Sequence, residues 1–417
     1  MTYIVVGNSA AGLFAVEEIR KHDLHSELIV LTAEQEPFYS RCLTTYFLAG
    51  DIPASHLYLP NDDFAERLNL KIFYGVKVNG IDPKQQIVRS IDGREWHYSK
   101  LLLAMGSSAK KLTIPGANLP EVFNLRTMKD ALAINKVVEH GAQKAVVIGG
   151  GLVSLKSAYA LRKRGLEVTV VVSSGQILSQ MLDIKAANLI QEHLRINGLK
   201  FYLQTEAIAI TGEDHVQSVM IAPDTKIDAD LVIVGKGVHP NIQGLKDFGF
   251  NIGQGLQVNS SLATNLPNIY AAGDVAETWD LVRQKFTVNA TWPNATTQGR
   301  IAGANMCGGT EVYSGSLGLN SVDFFGLAAM SVGITKLQDN NPPRDWNQEE
   351  DLKMVANIPH YRKLIWQGDI LKGFILVGDT SKCGVLTALI KADRPLSPDQ
   401  KKLTLGNRGT LAIGMIK

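Results

Sequence analysis

The sequence is short of cysteine. Cys42, Cys307 and Cys383 are the only three in 417 residues, they lie far apart, and no CxxC pair occurs. An odd, scattered set argues against a disulfide framework and fits a reducing compartment. It also excludes a thioredoxin-type dithiol, and three thiols fall short of the four that an ordinary iron–sulfur cluster takes. Histidine adds no metal-ligand spacing: the closest pair, His22 and His25, reads as the solvated end of a helix. No metal site is expected.

Long apolar runs are missing too. No stretch approaches the roughly 18 residues that span a bilayer, and Met1 leads straight into "YIVVG" without a charged leader. The expectation is a soluble cytoplasmic chain with no membrane contact. Charge of one sign is lacking as well: 42 basic residues against 40 acidic ones leave a formal charge of +2, which gives no ground for nucleic-acid binding. The substrates expected are small molecules or proteins. A hydrophobic fraction of 45% is that of a globular chain, and at roughly 100 to 200 residues per domain the length holds two or three packed units.

Glycine is plentiful, and two of its clusters repeat a pattern. "YIVVGNSAAGLFAVEEIRKHDLHSELIVLTAE" from Tyr3 and "AVVIGGGLVSLKSAYALRKRGLEVTVVVSS" from Ala145 each read as an apolar strand, a glycine-rich turn, an amphipathic helix and a second strand. That is one βαβ unit used twice, with the turn at the place where a dinucleotide pyrophosphate meets a helix N-terminus. In the first unit Gly7 permits the turn, Ser9 is small enough for close phosphate approach, Ala10 and Ala11 open the helix, and Gly12 lets helix and strand pack closely. In the second, Gly149 and Gly151 take the first two roles, Leu152 and Val153 open the helix, and Ser154 stands where a third glycine is usual. A carboxylate normally follows the second strand to bind the adenosine ribose. Glu34 suits that role in the first unit, whereas the second offers only Val172, Ser173 and Ser174. NAD is expected at the second unit, with NADP not excluded; Ser173, Ser174 and the run Arg162, Lys163, Arg164 are the candidates for favouring a 2'-phosphate, although a basic run at a helix end is more often a solvated face that stabilises the dipole.

Three further segments carry a resemblance. "LLLAMGSSAKKLTIPG", with Ala104 and Gly106, "ADLVIVGKGVHPN", with Gly237, and "NLPNIYAAGDVAE", with Gly273 and Asp274, resemble in sequence and order motifs of the pyridine nucleotide-disulfide oxidoreductase superfamily, up to about residue 310. The resemblance implies an α/β fold with two Rossmann-like (βαβ) dinucleotide-binding domains of the glutathione-reductase type and an α+β C-terminal interface domain. An FAD-binding domain is then expected over 1–116 and 245–310, an NAD(P)-binding domain over 117–244 and an interface domain over 311–417. The apolar face of that last domain, with Phe324, Phe325 and Leu327, is either a dimer contact or core. Asp274, read as a strand end followed by a helical stretch, would accept hydrogen bonds from the flavin's ribityl chain. In "TWPNATTQGRIAG", Trp292 would flank the flavin ring and Gln298 its polar edge.

"PFYSRCLTTYFLAG" supplies Arg41 and Cys42 beside the flavin. Cys42 and Tyr46 match the C-x-x-x-Y spacing of coenzyme A-disulfide reductases, where the cysteine is redox-active. The fuller string is more similar to flavin subunits related to nitrite reductases and to ferredoxin or rubredoxin reductases, in which that position only walls the pocket. Both readings stand. Lys156 is a candidate positive charge near the flavin from the opposite domain, or a solvated helix lysine.

The "VVIGGGLVSLKSAYALRKRGLEVTVV" and "LNSVDFFGLAAMSVG" segments resemble the FAD subunits of multisubunit anaerobic enzymes, such as the phenylglyoxylate dehydrogenase epsilon subunit and the flavin subunit of tungsten-dependent aldehyde oxidoreductases. The expected function is an FAD-dependent NAD(P)H oxidoreductase exchanging electrons with an iron–sulfur partner protein or subunit, as a homodimer or within a hetero-oligomer. The alternative is a thiol-dependent reductase of coenzyme A disulfide or persulfide using Cys42. Val172 and Ser154 also leave open an FAD-binding subunit without nicotinamide binding.

Overall fold

Strand Thr2–Val6 is buried at four of its five positions, the pattern of a strand covered on both faces. It pairs in parallel with Glu27–Leu31 on one side and Lys100–Leu103 on the other. Leu70–Phe73 extends the sheet at one edge, and Ile269–Ala271 closes it at the other. The five-stranded parallel sheet is thus completed by a segment that returns from far along the chain. The computed structural model describes residues 1–59, 63–337 and 344–405.

The second repeat builds a second five-stranded parallel sheet. Lys144–Ile148 lies at its centre between Glu167–Val172 and Leu231–Val234, with Leu199–Leu203 and Val122–Phe123 outside them. Each parallel sheet is accompanied by a three-stranded antiparallel ribbon, Val78–Asp82, Ile87–Ser90 and Glu95–His97 in the first case, and Ala207–Thr211, Ser218–Ile221 and Thr225–Asp228 in the second. The chain leaves the first sheet and later returns to it side by side: Ser107–Ala109 and Val238–Pro240 pair antiparallel.

The helix of the first repeat, Ala10–His22, crosses the later helix Trp292–Met306 at close range. A Cβ added to Gly299 would sit 2.3 Å from the Ala11 carbonyl oxygen, so the absent side chain is what lets the two backbones approach. The crossing holds the 292–306 helix against the turn that precedes Ala10.

The C-terminal part is an antiparallel sheet in the order Leu319–Phe324, Leu327–Gly333, Ile370–Val377, Ile358–Gln367, Trp346–Val355, followed by helices Cys383–Ala392 and Pro398–Leu405. It packs on the second repeat. Phe324 and Leu327 are buried in one apolar cluster with Leu155 and Leu161 of helix Leu152–Lys163, and Tyr159 meets Phe325 and Phe324 edge-on at 4.7 and 6.0 Å. Core packing within the chain accounts for these aromatics. Among the described residues no helix is long and apolar enough to cross a membrane.

Candidate functional site

The first glycine turn is shaped by contact. Gly7 sits at φ +116°, and a Cβ there would lie 2.2 Å from the Ala104 carbonyl oxygen; one on Gly12 would lie 2.0 Å from the oxygen of Gly7 itself. Strand, turn and helix start therefore close on one another, leaving the N-terminal N–H groups of helix Ala10–His22 facing outward without intrahelical partners. In the second turn Ser154 replaces the third glycine, and its hydroxyl donates to the Gly235 carbonyl at 3.1 Å. The departure is accommodated by a hydrogen bond.

A cleft of about 960 Å³ runs from this first turn, within the usual size of cofactor sites, roughly 300 to 1,000 Å³. Its walls bring together Gly7, Ser9, Ala10 and Ala11 from the turn, Glu34, Arg41 and Cys42 after the second strand, Ala104 and Gly106, Gly273 and Asp274, and Trp292. Two of the expected residues lie behind the wall. Gly12 packs against the turn, and Gln298 is buried, its Oε1 accepting from the Gly273 N–H at 2.7 Å and its Nε2 donating to the Tyr313 hydroxyl at 3.2 Å. Gln298 thus fixes the loop that carries Asp274. The reading of Asp274 as followed by a helical stretch is corrected: the hairpin strands Ala276–Asp280 and Lys285–Thr287 intervene, and the helix begins at Trp292.

Charge in the cleft is arranged at two places. Near the first turn, the Arg41 guanidinium pairs with Glu34 and donates to the Tyr39 hydroxyl at 2.9 Å, the Arg126 carbonyl at 3.0 Å and the Ser9 hydroxyl at 3.2 Å. The Tyr39 hydroxyl in turn donates to Glu34 at 2.7 Å, and burial pushes its pKa well above the usual tyrosine value. Each Glu34 oxygen retains lone pairs. At the other place, Asp274 accepts from the Ser107 hydroxyl and from Arg126 Nη2, both at 2.8 Å.

Arg126 and Ser107 were not singled out in the sequence. A signal was present in "NLRTMKDA": Thr127 and Asp130 form a capping box at the start of helix Met128–Glu139, a pattern readable from S/T-x-x-acid spacing, and Arg126 stands immediately before it. Nothing local marks Ser107.

Cys42 lies on the cleft wall with its side chain exposed to the cleft and flanked by protein on the other sides. Burial pushes its thiol pKa up, the Lys156 ammonium opposes that rise, and the Asp274 carboxylate reinforces it. Lys156 comes from helix Leu152–Lys163, and its ammonium lies 5.0 Å from the centre of the Tyr46 ring. Cys307 and Cys383 sit elsewhere, the first with its Sγ 3.8 Å from the Ile19 carbonyl and the second at the start of helix Cys383–Ala392.

The remaining candidates gather at the carboxyl end of the second sheet, outside the walls of the first cleft. Gly149, Gly151, Leu152 and Val153 form the turn and the helix start, Ser173 follows strand Glu167–Val172, and Gly237 lies between Leu231–Val234 and Val238–Pro240. Of the two readings of Arg162, Lys163 and Arg164, the helix end holds and the 2'-phosphate contact does not. They close the far end of a 12-residue helix, about 18 Å from its start. Arg162 binds the Asn197 carbonyl, Lys163 pairs with Asp51, and Arg164 binds Asn135.

A family profile described as pyridine nucleotide-disulphide oxidoreductase matches residues 1–299. The chain belongs to this family. Its members bind FAD and NAD(P)H, and the chain is an NAD(P)H-dependent flavin oxidoreductase of this family. The NADH-dependent phenylglyoxylate dehydrogenase subunit epsilon of Aromatoleum evansii is 30% identical over 415 residues, 99% of this chain and 96% of that one. The assimilatory nitrate reductase electron transfer subunit of Bacillus subtilis is 32% identical over 403 residues, 96% of this chain but only 50% of the relative, so the chain spans half of that protein's length. Among solved structures, a NAD-dependent persulfide reductase from A. fulgidus superposes with a TM-score of 0.88 at 27% identity, covering 95% of this chain and 77% of the other.

The residues of the first cleft fit FAD. The helix start beside Ser9 and the Arg41 guanidinium offer donors to a pyrophosphate, while Glu34 and Asp274 offer carboxylate acceptors to hydroxyl groups at two separate places.

Proposed function

We propose that this chain is the flavin unit of a larger electron-transfer system, carrying electrons between NAD(P)H and a separate iron–sulfur protein or subunit. The observation that carries the reading is the position of Trp292. Its side chain walls the flavin cleft and also lines a second, more open cavity of about 410 Å³, together with Leu13, Phe14, Glu17, Leu59, Phe64 and Arg67. Leu59 is 41% exposed, so the cavity reaches the surface. Its lining is mainly apolar and aromatic, with Glu17 and Arg67 as its charged members; Arg67 lies over Phe64, and Arg300, outside the lining, lies 4.5 Å from the centre of the Phe14 ring. Trp292 is common to the two linings, so a partner seated there would share it with the cleft.

In this reading residues 1–116 and 245–310 hold FAD, 117–244 hold the nicotinamide coenzyme and 311–417 form the C-terminal unit. Bound FAD supplies the two-electron acceptor for nicotinamide and the step down to single-electron carriers. The protein's work is binding and orientation. Arg41 and the helix start neutralise the pyrophosphate, Glu34 and Asp274 hold the hydroxyl-bearing segments, and the Arg126 and Ser107 bonds keep the Asp274 carboxylate in place before FAD binds. The similarity over nearly the whole of both chains to a dehydrogenase subunit, and to an electron transfer subunit of which this chain spans half, supports this assignment. Arg67→Glu reverses the charge at the cavity rim. It should slow electron delivery to an oxidised iron–sulfur acceptor by about tenfold at low salt and leave flavin reduction by NAD(P)H unchanged; equal rates in both halves would reject this route.

A second reading rests on Cys42, which lines the flavin cleft, and on the similarity to a persulfide reductase. It makes Cys42 the nucleophile toward a disulfide or persulfide. The raised thiol pKa works against it, because the thiolate is the reactive form. Cys42→Ser separates the two: it abolishes persulfide turnover in the second reading and spares electron transfer in the first.

A further inference from the structure

The second nucleotide turn lacks the group that normally chooses between the two nicotinamide coenzymes. In such folds a carboxylate at the end of the second strand binds the adenosine ribose hydroxyls, and an arginine nearby accommodates a 2'-phosphate instead. Here the strand ends in Val172, which is 2% exposed. Its side chain packs onto the glycine turn itself: a Cβ added to Gly150 would lie 2.6 Å from Val172 Cγ1. An isopropyl group occupies the place from which a carboxylate would act.

The groups that follow are neutral. Ser173 and Ser174 are exposed, and the Ser174 hydroxyl donates to the Gln176 carbonyl at 2.9 Å. The adjoining strand end contributes Gln204 and Thr205, whose N–H groups donate to the carbonyls of Ser174 and Val172, both at 3.2 Å. The Gln204 amide lies against Gly175. The cations that the sequence places nearest, Arg162, Lys163 and Arg164, are engaged at the opposite end of helix Leu152–Lys163. Lys336 also reaches the following loop, where its ammonium donates to the Ser179 carbonyl at 2.7 Å.

We propose that the second site takes NADH and NADPH with comparable affinity, because Val172 removes the charge that repels a 2'-phosphate and Ser173 and Ser174 supply none that attracts it. The inference rests on the assignment of this turn to the nicotinamide coenzyme and adds the breadth of its specificity. The Ser173 hydroxyl serves either ligand, accepting from a ribose hydroxyl or donating to a phosphate oxygen, while the Ser174 hydroxyl, donating to Gln176, keeps its acceptor lone pairs. Neither interaction carries the charge assistance that makes discrimination large.

The test is calorimetric titration of the FAD-loaded protein with ADP-ribose and with its 2'-phosphorylated form, alongside anaerobic flavin reduction by NADH and NADPH. The wild-type Kd values are expected to agree within about tenfold for both fragment and coenzyme pairs. Ser174→Arg, at an exposed position, should tighten the 2'-phosphorylated fragment by about tenfold or more and leave ADP-ribose nearly unchanged. Val172→Asp should weaken the 2'-phosphorylated fragment selectively. Wild-type discrimination of more than about a hundredfold in either direction overturns the proposal, as does a Ser174→Arg protein that binds both fragments as the wild type does. If wild type binds neither fragment and neither coenzyme reduces its flavin, the assignment of the turn fails and the proposal falls with it; that outcome is distinct from selective binding.

Discussion

Asp274 is held by two donors, Ser107 and Arg126, that come from parts of the chain far from it. A hydrogen bond to a charged group contributes about 1.5 to 3 kcal/mol, so Asp274→Ala should weaken FAD binding by about tenfold or more, read as flavin lost on dilution and gel filtration. Full retention of flavin would remove Asp274 from the cofactor site. Cys42 makes a pH prediction. The cleft wall around Cys42 raises its thiol pKa above that of an ordinary cysteine even though the residue is exposed to the cleft, so the thiolate is scarce at neutral pH and its population grows as pH rises. Alkylation of Cys42 in flavin-depleted protein should therefore be slow at pH 7 and accelerate at higher pH than for a free cysteine; a rate already near its maximum at pH 7 would mark an activated thiol. At this scale the sequence was informative where a residue type is forced by geometry, as at Gly7, and where charge sits beside a recognisable motif, as at Asp274. For Arg126 it offered only the neighbouring capping box, because the contact that matters joins two positions 148 apart; Gln298 was picked out for the flavin's polar edge, but its amide braces the loop that carries Asp274.

At the scale of elements, the repeated strand, turn and helix pattern was legible because buried parallel strands read as apolar runs and the turns between them demand small residues. The hairpin Ala276–Asp280 and Lys285–Thr287 was read as helical instead. Its alternation is short and its strands carry Trp279 and Phe286 exposed as an edge-on pair at 5.6 Å, so no apolar period announces it. The attachment of the C-terminal sheet to the second repeat was likewise hidden. It runs through a buried cluster: Asp183 caps helix Ile184–Ile196 by accepting from the Ala186 N–H at 2.9 Å, and receives Lys363 at 3.0 Å and the Tyr361 hydroxyl at 2.7 Å from strand Ile358–Gln367. The Lys363 and Asp183 side chains are only 7% and 9% exposed. Removing one member of a buried pair leaves the other charge uncompensated, at a cost of about 3 to 5 kcal/mol. Lys363→Ala should accordingly lower the urea midpoint by that equivalent, whereas Lys185→Ala, which removes an exposed partner of Glu350, should change stability by about 1 kcal/mol or less. Equal effects of the two would show that burial does not govern this cluster.

At the scale of the molecule, two nucleotide units face different tasks with the same local architecture. The first surrounds its cleft with segments from both ends of the sequence and fills it with paired charges; the second presents a glycine turn, an apolar strand end and neutral side chains. That asymmetry matches a retained flavin in one and an exchanging coenzyme in the other. The proposed route takes electrons from the flavin to another protein without passing through Cys42. It is tested most directly by anaerobic stopped-flow reduction of the FAD-loaded protein by NADH and by NADPH, in wild type and Cys42→Ser, followed across the flavin and charge-transfer bands. Equal reduction of the two proteins and no thiolate-to-flavin band are expected. A long-wavelength band in wild type alone, together with persulfide turnover that Cys42→Ser abolishes, would contradict that route.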